Sequence, residues 1–191
     1  MRQHIHERIL LYKIQKGDTE SFGTIYDFYH ERIYRYVYLK LPTQEDAEDI
    51  AADTFLRAWQ YLQEKKAVRS LQAFLYQIAR NLVVDFYRRR GGKVESIDEL
   101  EIVVADRGDL SLEEKMMLKS DIAQIERGIR QLKDIYRDVV ILHYLNDVPL
   151  KEVARLIEKS QGATRVLAHR AVKTLRDILA DSKSPSNNYH G

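Results

Sequence analysis

In GATRVLAHRAVKTLR, residues 162–176, Arg165, His169, Lys173 and Arg176 recur at three- and four-residue spacing, with Arg170 beside them. At about 100° per residue the four fall on one stripe of a helix. Leu167, Ala168, Ala171, Leu175, Ile178 and Leu179 fall on the opposite side. The chemistry open to such a stripe is recognition rather than reaction. A guanidinium pairs bidentately with guanine, and flanking Lys and Arg neutralise phosphates. A solvated face is the plainer alternative. Upstream, LKEVARLIEKS offers a short apolar-faced helix (Leu150, Val153, Ala154, Ile157) and a break that ends at Ser160, a capping residue. Two short helices about a tight break form a helix-turn-helix, which sets its second helix in a DNA major groove. Residues 151–176 carry seven Lys and Arg against two Glu, a net charge of +5.

Other chemistries find little support. The chain has no Cys, which removes disulfides, thiol nucleophiles and thiolate zinc sites. His4 and His6 supply two ligands that would point to opposite sides of any helix. No carboxylate pair sits with a nucleophile or base in a recognisable pattern. No catalytic activity, metal or cofactor is expected.

Two further stretches can bind partners. In DAEDIAADTFLRAW, Asp46, Asp49 and Asp53 share the face opposite Ala47, Ile50, Thr54 and Ala58. An acidic helix face meets either solvent or a basic protein surface. In LQAFLYQIARNLVVDFYRRR, Leu71, Leu75, Ile78, Leu82 and Phe86 form a core side. Tyr76, Arg80, Val83 and Tyr87 lie along another side that runs into Arg88, Arg89 and Arg90. Aromatics interleaved with cations suit nucleic acid, because rings stack on bases while cations meet phosphates. A buried tyrosine stripe is the competing reading.

Helices must position all three groups. With 8 Gly and 3 Pro in 191 residues and 45% apolar content, the chain reads as all-α. A short helix begins with Ile5, Ile9 and Tyr12 and ends at Gly17-Asp18. A second carries Phe22, Ile25, Tyr26, Tyr29, Ile33, Tyr36 and Val37. After Pro42, Thr43 caps a third with Asp46 three residues on, and Ser70 caps a fourth. Residues 91–114 open with Gly91-Gly92 and hold eight carboxylates against two cations, as an acidic linker would. The expected organisation is a helical domain over 1–90, the linker over 91–114, a second helical domain over 115–180 and a disordered tail over 181–191. No apolar run approaches membrane-spanning length and the N-terminus is no secretory signal, so a cytoplasmic setting is expected.

Taken together, KGDTESFGTIYDFYHERIYRYV, DAEDIAADTFLRAW, AFLYQIARNLVVDFYRRR and the segment 132–176 resemble the sigma factors of bacterial RNA polymerase, in particular the extracytoplasmic-function (ECF) group of the sigma-70 family. The resemblance runs from about Gly17 to Leu179, with the first three stretches similar to region 2 and the last to region 4. It implies a protein that binds core polymerase and assists promoter recognition and melting, with core RNA polymerase (β′ clamp and β flap), promoter DNA and an anti-sigma factor as partners and no insertion in membranes. Asp46, Asp49 and Asp53 would meet the β′ clamp. The connection from Gln63 to Ser70, with Lys65, Lys66 and Arg69, would receive a base flipped from the −10 element. Tyr76, Arg80, Tyr87, Arg88 and Arg89 would serve the same DNA, and Arg165, Val166, His169, Arg170, Lys173 and Arg176 the −35 element. The linker's acidity would mimic phosphate in the polymerase's basic channels.

The sequence departs from the group's pattern at Ala52, at Lys133, at Glu158 where Gly is frequent, and over Ala163-Thr164 and Val166-Leu167 in the second helix of the helix-turn-helix. A stand-alone helix-turn-helix regulator and a protein-interaction module with solvated basic faces remain the competing functions. If the helix-turn-helix reads bases, Arg165→Ala or Arg170→Ala will cost about 1–3 kcal/mol at particular base pairs in a binding titration. Equal weakening on every DNA sequence would restrict both side chains to phosphate.

Overall fold

The computed structural model describes residues 2–91 and 112–182, with side chains from Glu7 and Lys119 onward in the two stretches. The chain divides into two compact units on either side of Asp98. Every element among the described residues is helical. The expected linker lies largely outside the described residues, as do the tail beyond Ser182 and the side chains of His4 and His6.

The first unit holds α1 (Arg2–Ile14), α2 (Thr19–Tyr38), α3 (Gln44–Gln63) and α4 (Leu71–Arg89). Gly17, at φ +93°, turns the chain out of α1 in the left-handed region that glycine tolerates. Asp18 then caps α2, accepting from the N–H groups of Glu20 and Ser21 and from the Ser21 hydroxyl at 2.8 Å. The Ser21 bonds hold its carboxyl below the usual carboxylate range. Thr43 caps α3 and Ser70 caps α4, each through its hydroxyl and the N–H three residues on.

The core of this unit follows the apolar spacing. Ile25, Tyr29, Ile33, Tyr36 and Val37 of α2 meet Ala47, Ile50, Ala51, Thr54, Phe55, Ala58 and Leu62 of α3. Leu71, Leu75, Tyr76, Ala79, Leu82, Val83 and Phe86 of α4 complete it. Buried tyrosines need partners for their hydroxyls. Tyr29 donates to Glu7 Oε1 at 2.6 Å, which also pins α1. Burial and this carboxylate push its phenol pKa up, so it stays a donor.

The second unit comprises α5 (Leu112–Gln131), α6 (Asp134–Val139), a π-helical stretch Val140–Leu145, α7 (Leu150–Leu156) and α8 (Gln161–Asp181). The α5 helix starts two residues before the expected end of the linker. Arg137 closes its other end, donating to the carbonyls of Arg130 and Leu132. Gly128 permits α8 to approach: a Cβ there would stand 3.0 Å from Leu179 Cδ2 and 3.1 Å from Leu175 Cδ1.

Between α7 and α8 the chain turns over four residues, 157–160. Glu158 N–H donates to Arg155 O at 3.2 Å and Lys159 N–H to Ala154 O at 2.9 Å. This is a Schellman closure, which requires a left-handed residue. Glu158 takes that conformation at φ +56°, and this accounts for glycine being frequent there in the related pattern. Ser160 caps α8 through the Ala163 N–H at 3.1 Å. A Cβ in the left-handed region costs about 1–2 kcal/mol, partly offset by the greater unfolded-state freedom of glycine. Glu158→Gly is therefore expected to raise stability by up to about 1 kcal/mol in urea unfolding followed by circular dichroism. Glu158→Val will lower it.

Candidate functional site

Helix α8 buries Thr164, Ala168 and Ala171 and little else. Small residues at these places let α7 and α6 lie close, so the rest of the helix stays outside. Arg165, Val166, His169, Arg170, Lys173 and Arg176 are all exposed, and Val166 is 49% exposed. The Ser160 cap fixes the end of this face. Thr164 stays inside because its hydroxyl donates to Ser160 O at 2.9 Å. The structure thus gathers all six residues expected to meet the −35 element on one helix.

On α3, Asp49 and Asp53 are exposed and Glu45 and Glu48 extend the acidic surface. Asp46 differs. Its carboxylate accepts from the Thr43 hydroxyl at 2.6 Å and from Arg90 Nη2 at 3.3 Å, leaving the side chain 17% exposed. Asp46 thus links the start of α3 to Arg90 at the end of α4. Its position in the first helical turn brings the carboxylate to the capping hydroxyl and to the positive end of the helix dipole. The sequence reading missed Leu56, which is 54% exposed in line with Asp49 and Ala52. The signal was its seven-residue spacing from Asp49, outside the buried set.

Lys65, Lys66 and Arg69 are exposed in the loop between α3 and α4. Lys65 is left-handed at φ +56°. Lys66 pairs with Glu64, which raises its pKa, and sits 5.1 Å from the centre of the Tyr61 ring. Tyr61 in turn leans on Phe74 at 4.8 Å.

The outer face of α4 differs from the expectation. Tyr76 is fully buried, with its ring edge-on to Tyr36 at 5.6 Å, and Val83 is buried too. Ile78, expected in the core, is only half-buried. The α4 helix packs against both α2 and α3, so its buried arc is wider than one stripe and rotated towards Tyr76. The buried-tyrosine alternative holds for Tyr76, which offers no ring for a base to stack on. Tyr87 is half-buried and its hydroxyl donates to Lys40 O. Arg80 is half-buried, while Arg88 and Arg89 are exposed. Arg88 pairs with Asp85 at 3.0 Å and Arg89 Nε donates to the Asp85 carbonyl at 3.4 Å. Among the described residues no group of three or more His, Asp or Glu could hold a metal ion, and no helix is long and apolar enough to cross a membrane.

Residues 25–92 match Sigma-70 region 2 and residues 122–175 match Sigma-70, region 4, together more than half of the chain. The chain belongs to the sigma-70 family. Relatives place this sigma factor in the ECF group. It is 32% identical over 173 residues to the ECF RNA polymerase sigma factor BldN of Streptomyces coelicolor, covering 90% of this chain and 65% of BldN. It is 29% identical over 188 residues to the ECF RNA polymerase sigma factor SigW of Bacillus subtilis, covering 95% of this chain and all of SigW. The fold is shared with CnrH, solved in complex with the cytosolic domain of CnrY, at a TM-score of 0.69 and 21% identity over 94% of this chain and 99% of that one.

If Asp46 is a structural tie in this sigma factor, Asp46→Ala will lower the unfolding free energy by about 1 kcal/mol. Asp49→Ala will leave it within about 0.5 kcal/mol in the same denaturation series.

Proposed function

We propose that this protein is an alternative sigma factor whose two units divide promoter recognition between them. The exposed face of α3 around Asp49 and Asp53 docks on the β′ clamp of core polymerase. The loop from Gln63 to Ser70 receives a base flipped from the non-template strand of the −10 element. Unstacking a base costs a few kcal/mol, so the cations Lys65, Lys66 and Arg69 beside the loop serve to hold the displaced strand. Arg80, Arg88 and Arg89 contribute to the same basic surface. Tyr76 is left out, and Tyr87 acts mainly by tying α4 to the end of α2.

In the second unit, α8 enters the major groove of the −35 element. Arg165, Val166, His169 and Arg170, nearest the capped end, face bases, and Lys173 and Arg176 hold phosphates further along. This unit also meets the β flap. The stretch between α4 and α5 acts as the tether, and docking of either unit raises the effective concentration of the other at its site. The protein carries out no reaction of its own; it works in the cytoplasm, at the nucleoid when bound to polymerase. An anti-sigma factor would act by covering the acidic α3 face.

The observation that carries the reading is the pairing of an exposed acidic helix on one unit with an exposed cationic helix on the other. A stand-alone regulator needs only the second. Transcription reconstituted from core polymerase and this protein on fragmented bacterial DNA separates the two readings. The expected result is a small set of start sites that depend on the protein and disappear with Arg165→Ala/Arg170→Ala. Sequence-specific binding by the protein alone, without any start site gained by core polymerase, would favour the regulator.

A further inference from the structure

The match to region 2 begins at residue 25, so α1 and the turn after it lie outside it. The end of α1 is nevertheless fastened to the loop between α3 and α4. Gln15 Nε2 donates to Lys66 O at 3.3 Å, a contact between residues 51 positions apart. About one helical turn back, some 5 Å along the axis, Tyr12 is 59% exposed. The Lys16 ammonium stands 4.7 Å from the centre of its ring.

Tyr12 does nothing visible for cohesion. The inner side of α1 is held by Ile14, which is fully buried, and by the Glu7–Tyr29 hydrogen bond. Tyr12 projects from the other side, next to the exposed Lys13 and Lys16. Across the Gln15 contact stand Lys65, Lys66 and Arg69, with the Tyr61 ring under Lys66. Two carboxylates close by are already engaged: Glu64 with Lys66 and Asp18 with the first turn of α2. The patch therefore combines two ring–ammonium pairs with further cations around a single hydrogen-bonded seam. Aromatic platforms ringed by cations are what a single strand requires, since every base has a π-face and every linkage a charge.

We infer that the end of α1 is a single-strand binding surface continuous with the base-receiving loop. Tyr12 stacks on a nucleotide next to the flipped one, Lys13 and Lys16 hold its phosphates, and Gln15 keeps the two halves in register. The inference rests on the reading that the loop takes a base from the non-template strand.

The test uses the full chain bound to core polymerase and fluorescein-labelled oligothymidylate, with anisotropy corrected for core alone and core affinity measured in parallel. Tyr12→Ala is expected to weaken oligonucleotide binding about 5- to 100-fold, the range for loss of one stacked base, at unchanged core affinity. Tyr12→Phe keeps the ring and will bind as the wild type, and Lys16→Gln will reduce the salt slope by about 1. Wild-type binding by Tyr12→Ala, alongside weakened binding by Arg69→Ala, would overturn the α1 surface and leave the loop reading intact. Equal loss in Tyr12→Phe and Tyr12→Ala would also overturn it, since stacking would not be the cause. If neither Arg69→Ala nor Tyr12→Ala changes binding, the loop reading fails and the α1 surface falls with it.

Discussion

Helix α4 lies against both α2 and α3, and this two-sided contact decides which charged residues of the first unit reach solvent. Tyr76 fills the seam with α2, edge-on to Tyr36, and Ala79 and Val83 continue the buried arc. With α4 so turned, Arg80 is half-buried and the fully exposed cations stand at its C-terminal end, at Arg88, Arg89 and Arg90. Arg90 then bends back over Phe86 at 4.4 Å and reaches Asp46. The first turn of α3 is thereby anchored to the last turn of α4, and the outer acids Asp49 and Asp53 are presented on a helix fixed near its start.

The second unit solves a related problem with small residues. Thr164, Ala168 and Ala171 are all that α8 buries over its first three turns, so its neighbours can cross close to its axis. Gly128 does the same for α5 further along, against Leu175 and Leu179. A helix gripped by so narrow a stripe leaves most of its circumference free, and there six candidate DNA contacts fit without competing with the core. The Schellman closure at Glu158 and the Ser160 cap set where this helix starts. In the proposed reading the helix start matters for function, because the residues nearest it would face base edges.

Much of this could be read from residue order. Thr43 and Ser70 act as caps, the buried set of α3 follows its 3–4 spacing residue by residue, and the cationic stripe of α8 is exposed throughout. These features are local or depend on one contact face. Tyr76 departs from the expectation for the opposite reason. A helical wheel shows one apolar stripe but not the number of neighbours a helix has, so the second buried side of α4 was invisible. Likewise Asp46 lies on the acidic stripe, and only the return of Arg90 across 44 residues shows that its carboxylate is taken. Gln15 and Lys66 lie further apart still, and neither side of that contact carries a pattern.

In the proposed function the acidic face of α3 joins this sigma factor to polymerase, so that the strand-binding loop and α8 act on DNA from one complex. The most direct measurement is the affinity of purified protein for bacterial core RNA polymerase, comparing wild type with Asp49→Lys. The wild type is expected to bind tightly and the variant at least about tenfold more weakly, since opposed charges are turned alike. Equal affinity of the two proteins, both folded by circular dichroism, would contradict the docking face. No binding by the folded wild type would rule out polymerase as the partner of this face and leave the stand-alone regulator.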